Sequence, residues 1–84
     1  MKDIGKVTHY YGKLGVAIVE LKSPLAAGDR VRIQGGTHDF DQEVSEMQVD
    51  HHTVEKAKKG DVIGLKVSEK APQGATVHKL EEDD

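Results

Sequence analysis

The chain has 84 residues, of which 36% are hydrophobic and 4% aromatic, with no tryptophan and no cysteine. This composition predicts one small domain with an aliphatic core, and it excludes disulfides and thiolate metal sites. The net charge of −3 comes from Glu81–Asp84, which holds four of the fifteen acidic residues, so residues 1–80 are nearly neutral. We therefore expect a single domain over residues 1–80 and a disordered acidic tail over residues 81–84.

The sequence contains neither a membrane-spanning segment nor a signal peptide. No apolar run approaches the length that a bilayer requires, and Met1-Lys2-Asp3 does not open a secretory signal. Together with the absence of cysteine, these features favour a soluble, cytoplasmic protein without a membrane partner.

Six segments have the composition and alternation of β-strands. The first hairpin joins Ile4–Tyr11 to Val16–Leu21 through the turn Gly12–Gly15. The second of these strands is apolar enough to be buried along most of its length. The other four strands are predicted at Arg30–Gln34, Phe40–Val49, Val62–Val67 and Ala75–Leu80.

Regular alternation predicts which side chains of two strands share a face. In the first strand, Ile4 is expected to face away from Gly5 and Val7. In the strand Phe40–Val49, the apolar face switches near its middle, which predicts a β-bulge at Ser45-Glu46. A bulge of this kind bends a small sheet towards a barrel.

Glycine pairs and one polar segment join the strands. Gly28-Asp29 and Gly60-Asp61 are interpreted as structural turns, in which glycine supplies an unusual backbone angle and aspartate accepts backbone hydrogen bonds. The segment Val54–Lys59 is predicted as one short helical turn capped by Thr53. Gly64 is expected to allow close backbone approach. The short connections predict an all-β fold, a small closed or partly open Greek-key β-barrel.

The order and spacing of several short motifs resemble a known domain. In chain order they are Gly5-Lys6-Val7, Gly15-Val16-Ala17, Leu25-x-x-Gly28-Asp29, Ile33-x-Gly35, Phe40-x-Gln42-x-Val44-x-x-Met47-Gln48 and Val54-x-x-Ala57-x-x-Gly60-Asp61-x-x-Gly64. Over residues 4–80 the pattern resembles the second domain of translational GTPases, the β-barrel beside the G domain in elongation factor Tu and its relatives. It is also similar to small stand-alone translation-factor-like proteins and to the barrel appended to some collagenase-like peptidases.

The chain departs from the GTPase pattern in three ways. Only Met1–Asp3 precede the first predicted strand, where family members have an additional strand, so an exposed strand edge is expected there. Gly74-Ala75 stands where the family often has Gly-Asp. The sequence lacks a G-x-x-x-x-G-K-[ST] phosphate loop, so neither GTP binding nor another cofactor is expected.

The resemblance implies a non-catalytic binding module that contacts tRNA, the ribosome or a G domain. The positions that match a segment near RNA in some family members are Gly5, Lys6 and Val7. Two further groups of contact candidates are Gly35, Gly36, Thr37 and His38 in one loop, and Lys56, Lys58 and Lys59 in another. The acidic neighbours of these lysines are more typical of a mixed solvated surface.

The alternative function is a protein-interaction or accessory domain, like the barrel appended to peptidases, with no role in RNA binding. The nearly neutral body favours this function over strong nucleic-acid binding. An exposed strand edge would permit β-augmentation or self-association. The oligomeric state is left open by the sequence.

Catalytic and metal sites are not predicted. Ser23, Ser45 and Ser68 have no histidine and acid companions in a recognisable pattern. His51-His52 is interpreted as part of a solvated connector, because adjacent residues on a strand point to opposite faces and cannot readily share a metal ion. Of the pair Tyr10-Tyr11, one side chain is expected to fill the core, which leaves at most one free to stack on a ligand.

Overall fold

The computed structural model describes residues 2–80, and every regular element in this range is a β-strand. The strands are Lys2–Tyr11 (β1), Val16–Leu21 (β2), Leu25–Ala26 (β3), Arg30–Gly35 (β4), His38–Glu43 (β5), Met47–Val49 (β6), His52–Val54 (β7), Lys56–Ala57 (β8), Val62–Lys66 (β9) and Thr76–Leu80 (β10). The predicted all-β class is confirmed. The predicted tail, residues 81–84, lies outside the described residues. Within residues 2–80, no helix is long and apolar enough to cross a membrane.

Eight strands form one antiparallel sheet in the order β5-β4-β10-β1-β2-β9-β6-β7, and β3 pairs with β8 in a separate two-stranded sheet. The long strand β1 pairs with β10 on one side and with β2 on the other. The prediction of an exposed edge at the first strand is therefore wrong. The edges of the sheet are β5 and β7, and no continuous ladder among the described strands closes it into a barrel.

The edge strand β5 approaches β9 across the opening of the sheet, and one side chain spans this seam. Gln42, on the edge strand β5, donates from Nε2 to the carbonyl oxygen of Lys66 at 2.7 Å. Its Oε1 accepts the backbone N–H of Ser68 at 2.8 Å. The side-chain amide thus makes the two bonds that a peptide group of a neighbouring strand would make. The sheet is a partly open structure held at its seam by this amide.

The predicted strand Phe40–Val49 is divided into β5 and β6 by an irregular segment. Val44 and Met47, which flank Ser45-Glu46, are both buried, with 1% and 0% of their surface exposed. The prediction of one continuous strand with a β-bulge at Ser45-Glu46 is wrong, because the chain breaks there into two strands. The break allows β5 to pair with β4 and β6 to pair with β9.

Strand β1 does not follow regular alternation. Ile4 and Val7 are both buried in the core, although they were expected on opposite faces. The register with β10 shifts between Asp3 and Gly5, and the register with β2 shifts just beyond Val7. Each irregularity adds a residue to one strand and turns the following side chains to the other face. The simple alternation prediction for β1 is therefore wrong.

The segment Val54–Lys59 contains the last residue of β7 and the short strand β8, so the prediction of a helical turn is wrong. Val54 ends β7 and pairs with Met47, and Ala57 in β8 pairs with Leu25. These backbone pairings and the burial of Ala57 outweigh the weak local helix preference of the segment.

The core lies inside the curve of the sheet and is almost wholly aliphatic. Its fully enclosed side chains include Val19 from β2, Ile33 from β4 and Leu65 from β9, each with 0% exposure. Phe40 is the aromatic side chain among the buried residues, and Tyr10 packs against them from the margin. No charged or polar residue in the described range is buried. The ionisable groups therefore all lie at the surface, where a functional site must be sought.

Candidate functional site

The two Gly-Asp pairs build turns of the same geometry. Gly28 and Gly60 have φ angles of 96° and 92°, which side chains rarely tolerate. One carboxylate oxygen of Asp29 accepts the backbone N–H of Ala26 at 2.9 Å, and Asp61 accepts that of Lys58 at the same distance. The structural interpretation of both turns is confirmed by these bonds.

A local two-fold relation connects the two turns. Leu25 pairs with Ala57 across the β3–β8 ladder, and these residues occupy the same place ahead of their respective Gly-Asp turns. Val44 donates to the carbonyl of Asp29 at 2.7 Å, as Leu21 donates to that of Asp61 at 2.9 Å. The two turns thus anchor the ends of β5 and β2 in equivalent ways and form one end of the domain.

A groove of about 550 Å³ lies over the β3–β8 ladder. Its floor includes Leu25 and Ala57, and three lysines stand around it: Lys56, Lys58 and Lys79. The ammonium group of Lys79 lies 3.4 Å from the carboxylate of Asp29. Since the carboxylates of both turns also line this groove, its charge is mixed rather than strongly positive.

A second groove, of about 310 Å³, lies on the other side of Gly60. It brings together the predicted contact residues Gly5, Lys6 and Lys59, which are distant in sequence. Lys56 and Lys58 line the first groove instead. The predicted lysine group is therefore split between two neighbouring concave surfaces, which lie at the same end of the domain.

Gly5 and Val7 have structural roles that their exposed neighbour Lys6 does not share. A Cβ atom on Gly5 would lie 2.7 Å from the carbonyl oxygen of Glu20, so any side chain would force β1 and β2 apart. Val7 is 1% exposed, and its backbone N–H and carbonyl both bond to the turn that ends at Ala75. Of this predicted group, Lys6 has a side chain that can reach a partner.

The loop Gly35–His38 lies apart from the two grooves. Its first residue packs against the turn before β10, because a Cβ atom on Gly35 would meet the Cβ of Ala75 at 2.7 Å. Gly36 has a φ angle of 55° and is exposed, as is Thr37. The structure therefore separates this group from the lysines, and a role for it in binding stays a prediction.

An apolar surface lies on the outside of the sheet, where polar side chains are usual. Its exposed members are Tyr11 at 48%, Leu14 at 64% and Val62 at 52%. Val16 and Ile18 point outward between them from β2, half-buried. We call these five residues, with Gly64, the outer apolar face.

Gly64 forms the floor of a groove of about 410 Å³ in this face. A Cβ atom added there would find Val16 Cγ1 at 3.5 Å and Ile18 Cδ1 at 3.9 Å, both ordinary contacts. No backbone atom comes close, so the expectation of close backbone approach at Gly64 is wrong. The missing side chain leaves space between two apolar neighbours.

The turn Asp50-His51 forms one wall of the same groove. Both residues have positive φ angles, 52° and 66°, as the central residues of a two-residue hairpin between β6 and β7. Glycine or asparagine usually occupies such positions, because other side chains strain the backbone there. The wall is thus held in a fixed but strained form.

The two neighbouring tyrosines divide as predicted. Tyr10 packs against the core, whereas Tyr11 is exposed and stacks on His9 with ring centroids 6.2 Å apart. The outer apolar face as a whole was missed at the sequence level. The apolar character of Val16–Leu21 on both of its faces was the available signal, but it was interpreted as burial.

Two aspartates, Asp41 and Asp3, each have a pKa that is lowered by a surface ion pair. The hydrogen bond that Arg32 donates to Asp41, at 2.6 Å, lowers the pKa of Asp41 below its ordinary value of 3.8. For Asp3, desolvation raises the pKa, but the hydrogen bond and charge of Lys22 at 3.0 Å outweigh it, and the pKa is lowered. Both carboxylates therefore keep their charge to a lower pH than a free aspartate does, and their ion pairs persist over that range.

No group of three or more histidine, aspartate and glutamate side chains gathers as a metal site within residues 2–80. His51 and His52 lie on the turn and in β7, both exposed. Ser68, one of the three serines considered, bonds through its amide and hydroxyl to Gln42. These residues therefore contribute to the turn and to the seam of the sheet.

No family model matches the chain. It is 40% identical over 81 residues to an uncharacterized protease of Methanocaldococcus jannaschii, a match that covers 95% of this chain and 20% of that protein. It is 36% identical over 80 residues to a collagenase of Porphyromonas gingivalis, covering 93% of this chain and 22% of the collagenase. The chain thus spans about a fifth of the length of these curated relatives.

The same fold occurs in a solved structure. The C-terminal domain of a Geobacillus thermoleovorans protein assigned to the U32 peptidases superimposes with a TM-score of 0.88 at 20% identity. The match covers 94% of this chain and all of that domain. At this level of identity the likeness shows the fold alone, and it shows that such a fold occurs as the terminal domain of a larger protein.

These comparisons correct the family assignment made from motifs. The relatives and the structural neighbours are peptidases of the collagenase and U32 type, so the assignment to translation factors, and the RNA binding that it implied, are wrong. They confirm the alternative, in which the chain resembles the accessory domain appended to collagenase-like peptidases. The shared motifs are chiefly turn glycines and aspartates, which this type of fold requires whatever its function.

Proposed function

We propose that this chain is a non-catalytic accessory domain that binds a peptidase body, meaning a polypeptide that corresponds to the other four fifths of its peptidase relatives. The observation that carries the proposal is the extent of the match, which covers nearly the whole of this chain but only 20% of the protease. A complete domain of this size matching part of a larger enzyme is typical of a separately folded module.

The charged groups of the domain support a non-catalytic role. Asp29 and Asp61 hold turns together through backbone bonds, and Asp41 forms a two-point pair with Arg32. These three carboxylates already bind backbone amides or Arg32, which favours a structural role for them. The chemistry of peptide hydrolysis is accordingly assigned to the peptidase body.

Affinity purification tests this function directly. The full 84-residue chain, tagged and expressed in cells of its source organism, is recovered and its bound proteins are identified by quantitative mass spectrometry. We expect enrichment of a peptidase of the collagenase or U32 type. A purified chain that cleaves gelatin above the buffer background would contradict the non-catalytic assignment.

A further inference from the structure

We propose that the outer apolar face is the surface with which the domain docks on the peptidase body. This inference rests on the proposed function and adds to it the site of contact. The face consists of Tyr11, Leu14, Val16, Ile18, Val62 and Gly64, and it covers the outside of β2 and β9 and the end of the first hairpin.

Strand β2 shows why this surface requires a cover. Its inward residues Ala17, Val19 and Leu21 are buried in the core, with at most 2% exposure. Of its outward residues, Val16 and Ile18 are apolar as well and Glu20 is charged and exposed. The first half of β2 therefore has the pattern of a strand covered on both faces. Within residues 2–80, the core covers Ala17, Val19 and Leu21 on the inner face, whereas Val16 and Ile18 on the outer face are only half-buried.

The shape of the face suits an inserted apolar side chain. Gly64 leaves a groove between Val16 and Ile18, and the strained Asp50-His51 turn stands at its margin. Leu14, the most exposed large apolar side chain at 64%, projects beside this groove from the hairpin turn. A groove beside a projecting leucine gives an interface both a pocket and an anchor.

The occupant is a peptidase body rather than a second copy of the chain. A stable homodimer buries about 800 Å² on each partner and uses about 20 residues a side, far more than this face offers. Interfaces between domains of one protein begin at about 600 Å² in total, a size that a small face can approach. In the peptidase relatives, the four fifths of the chain beyond the matching region supply such a neighbour.

Site-specific photo-crosslinking tests the docking surface. Benzoylphenylalanine is placed at Leu14 or Val62 on the face, and at Glu43 or Lys70 as controls that are also exposed but lie elsewhere. The full-length variants are expressed in cells of the source organism, irradiated and analysed by mass spectrometry. We expect crosslinks to a collagenase- or U32-type peptidase from the face positions at about ten times the yield of the controls.

The other outcomes separate the two proposals. Peptidase crosslinks from Glu43 or Lys70 but not from the face would overturn the docking site and leave the proposed function intact. A peptidase absent from all four positions would overturn both. Crosslinks from the face to a second copy of the chain, or to an unrelated protein, would also overturn the docking site.

Gly64→Ala supplies a second test that does not depend on disrupting the fold. The added methyl group occupies the part of the groove between Val16 and Ile18 at ordinary contact distances, so the domain should fold normally. We expect peptidase crosslinking from Leu14 to fall about tenfold, because the partner's side chain loses its pocket. Undiminished crosslinking with this variant would show that the groove is not used.

Discussion

Replacing Gln42 by alanine should open the seam of the sheet. The substitution removes the bond from Nε2 to the carbonyl of Lys66 at 2.7 Å and the bond from the amide of Ser68 to Oε1 at 2.8 Å. Each such bond contributes about 0.5–1.5 kcal/mol, and water replaces part of this at a surface site. We therefore expect a loss of about 1.5 kcal/mol from a total on the order of 4–13 kcal/mol for a domain of this size.

Urea unfolding followed by far-UV circular dichroism measures this loss. For a slope near about 1.5 kcal/mol/M, the midpoint should fall by about 1 M. Amide exchange at Ser68 should accelerate as well, because its N–H loses its acceptor. Gln48→Ala is the matched control, since Gln48 is exposed on β6, the next strand along the chain. Equal midpoints for the two variants, with unchanged exchange at Ser68, would refute the role of Gln42.

Gln42→Glu tests the same idea by its dependence on pH. The ionised carboxylate can still accept from Ser68 but has no proton to donate to the carbonyl of Lys66. Protonation restores the donor, so the folded state should bind this proton more tightly than the unfolded chain. The variant should therefore approach wild-type stability as the pH falls below about 4, and lose stability as the pH rises. A deficit independent of pH would contradict the bonding pattern described for the seam.

Three further substitutions test other parts of the structure. Gly35→Ala should lower the free energy of unfolding by about 2 kcal/mol, because the new Cβ would lie 2.7 Å from the Cβ of Ala75. Thermal unfolding measures this loss, and the control Gly64→Ala should not show it. In the same assay His51→Gly should stabilise the domain by about 0.5 kcal/mol, because glycine adopts the φ angle of 66° without strain. A loss of stability would show that the His51 side chain compensates for the strain. The pKa of Asp41 is lower in the folded state than its ordinary value of 3.8, so its pair with Arg32 stabilises the fold fully above that value. This contribution should be lost as the pH falls through the lower pKa of the folded state. Asp41→Asn should accordingly show a shallower loss of stability on acidification than wild type, and an unchanged acid profile would refute the contribution of the pair.

Local patterns predicted those parts of the fold that local chemistry determines. The boundaries of Val16–Leu21 match β2, because hydrophobic β-branched residues end there at a proline-containing turn. An irregularity near Ser45-Glu46 was also predictable, since a switch of apolar face requires one, but a β-bulge was expected and the structure has a break between two strands. Val54–Lys59 was not, because its conformation depends on pairing with strands that are distant in sequence.

The candidate site was less accessible to sequence reasoning, for a physical reason. A strand that is apolar on both faces has the same composition whether its cover belongs to the same domain or to a partner. The sequence of β2 therefore predicts burial, and the structure shows that its outer residues Val16 and Ile18 remain partly exposed. The split of Lys56, Lys58 and Lys59 between two grooves likewise depends on how β8 and its turn cross the end of the sheet.

The pairing of the first and last strands determines how the domain can be attached to other objects. Lys2 pairs with Lys79, so the two ends of the described chain leave the molecule side by side. From there β1 runs for ten residues, about 30 Å, before it reaches Tyr11 at the far margin of the outer apolar face. Val62, at the near margin, lies opposite Glu20 and is level with Lys6. A tether, dye or fused protein joined beside Lys2 or Lys79 is therefore remote from Tyr11 and Leu14. The domain can be immobilised on a sensor surface beside Lys2 or Lys79 with Tyr11 and Leu14 turned towards the solution.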